Sequence, residues 1–170
     1  NSEYSIPVIA KIEKPEALKN IDEILEVSSG LMVARGDLGV ELQSSEIPLI
    51  QKRLVAKAKK ERIPVIIATQ MMESMMESIS PSRAEVNDVA NSVMDGADAV
   101  MLSGETSVGE YPIEVIKNMS SIINKVENSN LISLASKRPK DQKSKRYITK
   151  SICFSAAKMA NDIKAKAIST

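Results

Sequence analysis

A chain of 170 residues with 43% apolar content can bury a core as one domain, and a net charge of +1 gives no reason to expect nucleic acid or an anionic membrane as a partner. The absence of histidine removes Ser-His-Asp chemistry, Cys-His chemistry and histidine metal sites, leaving lysine, carboxylates, hydroxyls, backbone dipoles and bound ions. One cysteine, Cys153, excludes an internal disulfide and fits a reducing compartment; no apolar run approaches a membrane span, and no signal-peptide pattern is visible.

One pattern recurs along the chain. Residues 7–12 read as a short apolar strand. The following helix has Pro15 suited to its first turn and Leu18, Ile21, Ile24 and Leu25 on one face. Residues 31–34, four apolar side chains without a polar break, read as a strand buried on both faces. They stop at Arg35, Gly36 and Asp37, where a tight turn is predicted whose N–H groups can cradle an anion. The next helix begins near Ser45 and Pro48 and turns Ile47, Ile50, Leu54 and Ala58 inward. Residues 64–68 form the third predicted strand. Met71, Met72, Met75 and Met76 then recur at helical spacing, as core gap-filling residues do. Ser82 and Glu85 have the spacing of a capping box, with Val86, Val89 and Val93 as the buried stripe behind it. Residues 99–102 are the fourth strand. Its helix starts near Pro112 and places Ile113, Ile116, Met119, Ile123 and Val126 inward.

Strand–helix alternation of this kind predicts a parallel sheet with right-handed crossovers. The expected class is α/β: a partial (β/α)8 TIM barrel of about four βα units, since a whole one needs roughly 250 residues. An open doubly wound sheet is the alternative. The barrel part is assigned to residues 1–128. Residues 129–146 read as a solvated linker, although the basic run 137–146 also admits a polyanion-binding patch. Residues 147–170 read as the truncated start of a second α/β domain. In it, a helix over 147–163 buries Ile148, Ile152, Ala156, Met159 and Ile163, Cys153 packs inside, and a strand begins at 164. The chain opens on Asn1-Ser2 and stops at Thr170 inside that strand, so both ends read as cuts in a longer protein.

Every predicted strand ends in groups able to do chemistry: Lys11 and Glu13, then Arg35 to Asp37, then Thr69 and Gln70, then Ser103 to Glu105. That is the face at which (β/α)8 barrels place active sites. Lys11 and Glu13 are two apart and share one strand face, with Ile12 on the other. Either they neutralise each other, or the lysine meets a substrate anion and the glutamate a cation. Glu13 and Asp37 close neighbouring strands, so their carboxylates either stay solvated or converge on one ion such as Mg²⁺. The Thr69 hydroxyl bonds a substrate or its own backbone. The loop at 103–109 is a polar turn or part of the site.

In order along the chain stand I-A-K-I-E at 9–13, M-V-A-R-G-D-L-G-V-E at 32–41, A-T-Q-M-M-E-S-M at 68–75, R-A-E at 83–85, D-V-A-N at 88–91 and D-G-A-D-A-V-M-L-S-G-E-T at 95–106. This ordered set resembles pyruvate kinase, essentially from residue 7 to 126. The resemblance implies the C-terminal part of that family's barrel domain and the opening of its C-terminal domain. It implies phosphoryl transfer between phosphoenolpyruvate and ADP, giving pyruvate and ATP in glycolysis. Lys11, Thr69 and Ser103 then match catalytic positions: the lysine stabilises the transferring phosphoryl group, and Ser103 lies in the loop of the proton path. Lys11, Gly36, Asp37 and Thr69 match substrate-binding positions, and Glu13 and Asp37 match ligands of Mg²⁺ or Mn²⁺. The resemblance further implies a cytoplasmic homotetramer that binds neither nucleic acid nor membrane. It also implies K⁺, whose site is not among these residues.

Two other readings are carried forward. One is a Mg²⁺-dependent lyase or aldolase barrel acting on pyruvate-like acids. The other is a non-catalytic half-barrel that self-associates through open sheet edges. By itself the 170-residue chain is expected to be inactive.

Overall fold

The computed structural model describes residues 6–129 and 147–165. The chain divides into two compact units, Asn1–Leu131 and Ile132–Thr170. In the first, strands β1 (Ile9–Ile12), β2 (Gly30–Ala34), β3 (Val65–Ala68) and β4 (Ala99–Val100) form one parallel sheet in the order β1-β2-β3-β4. Helices follow each strand: α1 (Pro15–Lys19), α2 (Ile21–Val27), α3 (Arg35–Glu41), α4 (Ile47–Glu61) and α5 (Arg83–Asp95) in the crossovers, then α6 (Gly104–Ser107) and α7 (Pro112–Glu127) after β4. The chain thus winds in one direction. A doubly wound sheet reverses its strand order at a switch point, and this sheet does not. Sequential order is that of a barrel wall, so the α/β partial-barrel expectation holds and the open-sheet alternative falls.

The core sits between the sheet and its helices. Leu31, Val33, Val65 and Ile67 are fully buried and pack with Leu54, Val55 and Ala58 of α4 and with Ile21 and Leu25 of α2. On β2 and β3 only Met32 and Ile66 are half-buried and every other residue is buried, so neither strand shows polar alternation. Met71, Met72 and Met75 are fully buried just beyond β3, as gap-fillers, although Glu73–Met76 is a 3-10 turn rather than an α-helix. The capping box forms: Ser82 Oγ accepts from the Glu85 N–H while the Glu85 carboxylate accepts from the Ser82 N–H. That carboxylate also holds the Ser74 N–H and hydroxyl. Burial works to raise the Glu85 pKa, but the bonds from Ser74 and Ser82 outweigh it and hold the pKa below the usual carboxylate value.

Several expectations fail in detail. The first helix breaks at Asn20 into α1 and α2. The predicted tight turn at Arg35–Asp37 is the first turn of a helix, α3. Ile113 and Ile116 are 62% and 51% exposed; α7 buries Met119 as expected, and Val115 in place of those isoleucines. Isoleucines stand on several sides of α7, so its period shows an apolar helix without fixing which stripe faces in. Val86 is likewise exposed. In the second unit, α8 (Tyr147–Asp162) leaves Ile148, Ile152, Met159 and the following Ile163 exposed, and Cys153 is exposed rather than packed. Among the described residues of that unit, α8 is the only helix and has no strand to pack against. The basic run and the predicted linker beyond Ser129 lie outside the described residues; the strand expected from 164 opens instead on a turn, with Lys164 at φ 53°, and its residues 166–170 lie outside the described residues. No described helix is long and apolar enough to cross a membrane.

Asp98 joins three elements. Its carboxylate accepts from Lys59 Nζ at the end of α4 and from the Val65 N–H at the start of β3, both at 2.9 Å, just before β4. Burial works to raise its pKa, but the Lys59 bond and then the Val65 N–H outweigh it and hold the pKa below the usual carboxylate value. A carboxyl depressed by folding contributes stability above its unfolded pKa and loses it as pH falls through the folded one. Asp98→Asn is therefore expected to lower stability near pH 7 by roughly 1 kcal/mol, since solvent screens the half-exposed pair. Urea unfolding as a function of pH should bring variant and wild type together once the pH has fallen well below the usual carboxylate range. A gap that persists at that pH would contradict the assignment.

Candidate active site at the carboxyl ends of the strands

Lys11 and Glu13 leave β1 on the face opposite Ile12, which is only 1% exposed. The Lys11 ammonium pairs with the Glu13 carboxylate and lies 3.4 Å from Asp37 Oδ2. Asp37 reaches it from the first turn of α3, which starts directly after β2. Adjacent parallel strands therefore deliver both carboxylates to one ammonium. The hydrogen bond to Glu13 raises the Lys11 pKa most; burial opposes it, and Asp37 adds to the rise. The ammonium stays charged across the physiological range.

A second group lies one residue away. The Gly36 N–H donates to Thr69 Oγ1 at 2.8 Å, and the Thr69 hydroxyl donates to the Ala68 carbonyl at 2.7 Å. A Cβ on Gly36 would come within 3.2 Å of Thr69 Oγ1, so glycine permits this approach. The Gly36 N–H thus points at the Thr69 hydroxyl, whose own proton goes to the Ala68 carbonyl.

The structure thus brings Lys11, Glu13 and Asp37 into one cluster and Gly36 with Thr69 into a neighbouring one. Ser103 joins neither: it is exposed, and its N–H donates to Glu105 Oε2 within its own loop at 2.7 Å. Two contributors were not assigned from sequence. Glu105 is buried at 4% exposure and also accepts from the Met72 N–H at 3.4 Å, tying the loops after β3 and β4 together. Arg35 is buried at 8% exposure and reaches from β2 to the exit of β3. Its place directly before Gly36-Asp37 marked it, but local sequence cannot say which strand a long side chain will cross to.

The donor set fits a hard divalent cation. Glu13 and Asp37 both reach the position of one cation, the Lys11 ammonium, and Mg²⁺ takes few protein oxygens and keeps water or substrate oxygens for the rest. Among the described residues, no group of three or more histidine, cysteine or acidic side chains is placed to hold a metal by protein ligands alone.

Parallel strands in unbroken order, with charged groups gathered at their carboxyl ends, define part of a (β/α) barrel of the enzyme type. The family model that matches, over residues 1–116, is described as pyruvate kinase, barrel domain. A pyruvate kinase of Mycobacterium intracellulare is 58% identical over 125 residues, covering 74% of this chain and 26% of that protein. One of Geobacillus stearothermophilus is 50% identical over 166 residues, covering 97% and 28%. One of Corynebacterium glutamicum is 47% identical over 163 residues, covering 96% and 33%. The chain belongs to the pyruvate kinase family, and it spans about a quarter to a third of the length of these relatives.

Proposed function

We propose that the full-length gene product transfers a phosphoryl group between phosphoenolpyruvate and ADP, giving pyruvate and ATP, as a cytoplasmic enzyme of glycolysis. The observation that carries this reading is the Lys11 ammonium held between Glu13 and Asp37, beside the donor pair of Gly36 and Thr69. Phosphoryl transfer asks mainly for positioning and charge neutralisation, which suits a site without histidine.

Glu13 and Asp37 would hold Mg²⁺ or Mn²⁺, which when bound supplies charge neutralisation for the phosphoryl oxygens and the enolate left behind. Lys11 neutralises the transferring phosphoryl group as an ammonium, the form an ordinary lysine holds near neutral pH. The Gly36 N–H, which now donates to Thr69 Oγ1, and the Thr69 hydroxyl, which now donates to the Ala68 carbonyl, turn to the substrate carboxylate. Ser103 contributes to the proton path to the enolate. A K⁺ requirement would rest on residues outside this chain. The family's homotetramer is the expected assembly of the full-length product. The 170 residues alone carry part of the site and leave the outer edges of β1 and β4 unpaired among the described residues, so they are expected to be inactive and to pair with a second copy.

The test is a pyruvate-formation assay on the full-length product, run with and without ADP, beside the isolated chain examined by light scattering. Pyruvate and ATP formed only with ADP support the proposal. Carbon–carbon cleavage without ADP would favour a Mg²⁺-dependent lyase, and turnover by a monomeric 170-residue chain would remove the claim that the chain alone is incomplete.

A further inference from the structure

The chain leaves β3 through two consecutive left-handed residues, Thr69 at φ 67° and Gln70 at φ 53°. A β-branched residue seldom sits there, and such a conformation persists only where the surroundings hold it. What holds it is Arg35. Its Nη2 donates to the carbonyls of Thr69 at 3.0 Å and Gln70 at 3.1 Å and contacts Met71 Sδ at 2.8 Å. Its Nη1 donates to Asp88 Oδ1 at 2.6 Å and Gln51 Oε1 at 3.3 Å. Both carbonyls of the left-handed pair are therefore tied to one nitrogen. That nitrogen belongs to a buried guanidinium anchored by a carboxylate on α5 and an amide on α4.

The consequence lies at Thr69. Its side-chain direction follows from its backbone conformation, and in this conformation Oγ1 meets the Gly36 N–H. We infer that Arg35 is a positioning residue, which from the end of β2 holds the left-handed turn after β3 and so sets the Thr69 hydroxyl beside Gly36. This rests on the proposal that Gly36 and Thr69 receive the substrate carboxylate. It also gives the Asp88 of D-V-A-N a role: it fixes the guanidinium that fixes the turn. Lysine is not a substitute, because a point charge cannot serve Asp88 and two carbonyls from one planar frame.

The test compares the full-length gene product with Arg35→Lys, Asp88→Asn and Arg35→Lys combined with Gln70→Gly. Arg35→Lys should raise KM for phosphoenolpyruvate by about tenfold or more while leaving KM for ADP unchanged, because only the carboxylate-receiving end loses its geometry. Asp88→Asn should act in the same direction with a smaller effect, and it keeps the test readable if the lysine variant folds poorly. Gln70→Gly should recover part of the loss, since glycine adopts a positive φ without help. Crystal structures of the variants should show Thr69 leaving the left-handed region in Arg35→Lys. An unchanged KM for phosphoenolpyruvate, or both KM values rising together, would overturn the inference. So would a turn that keeps its conformation without the guanidinium. Should the wild-type protein fail to turn over phosphoenolpyruvate at all, the proposed function fails, and the crystal structures alone still decide the role of Arg35 in the turn.

Discussion

Lys11→Met in the full-length gene product should lower phosphoryl transfer by about a thousandfold or more while phosphoenolpyruvate still binds. A cation placed on a transferring phosphoryl group acts on charge that builds in the transition state, and removing such a cation from other phosphoryl-transfer sites costs about 10³–10⁵ in rate. Methionine keeps much of the length and apolar stem and removes the charge alone. The loss should fall on kcat, because the substrate carboxylate is received elsewhere, at Gly36 and Thr69. The fold should be little affected: the Lys11 side chain is 49% exposed, and its partners at that site remain solvated. Steady-state kinetics together with direct binding of phosphoenolpyruvate measure both halves of the claim. Near-normal turnover would sink the assignment of Lys11.

Asp37→Asn should raise the Mg²⁺ concentration needed for half-maximal activity by about 100-fold or more, and Glu13→Gln should do the same. An amide offers one neutral oxygen where a carboxylate offers charge, and Mg²⁺ gives up water only for strong, hard ligands. With two protein carboxylates at the point both now share with Lys11, losing either removes half of the protein's charge toward the ion. The competing effect is stability, and it is small. Asp37 sits in the first turn of α3, where a carboxylate gains about 0.3–1 kcal/mol from the helix dipole, and its side chain is 51% exposed. A Mg²⁺ titration of activity beside a thermal melt separates the two. An unchanged metal requirement with a lowered melting temperature would leave Asp37 only its favourable charge in the first turn of α3.

Much of this was legible locally. The apolar run before Arg35 reads as a buried strand because β2 lies between two other strands and under helices. The Ser82 and Glu85 pair reads as a helix start because a capping box is complete within four residues. Lys11 and Glu13 share a face because strand geometry has a period of two, and their ion pair follows. Legibility ended where the determining contact lies far off in sequence or where an element is apolar on several sides. Arg35 reads locally as part of a charged turn, yet its partners are 16, 34, 35 and 53 residues away. The stripe that α7 buries depends on how it meets α5, not on its own period.

The stretch 30–41 shows the division most clearly. Sequence alone established a strand that stops at a cation, a glycine and an acid, within an ordered motif set that names the family. It did so because strand burial, capping and motif order are local or linear properties. Tertiary structure decided that Arg35-Gly36-Asp37 opens a helix instead of forming a free turn. It also decided that Gly36 donates to Thr69, that Asp37 meets the ammonium Glu13 already holds, and that Arg35 turns inward to restrain the end of the neighbouring strand. Each of these depends on the register that sets β2 between β1 and β3, with Lys11 opposite Met32 and Ala34 opposite Ala68. Register is fixed by packing two sheet faces at once, and no single segment of the chain contains that information.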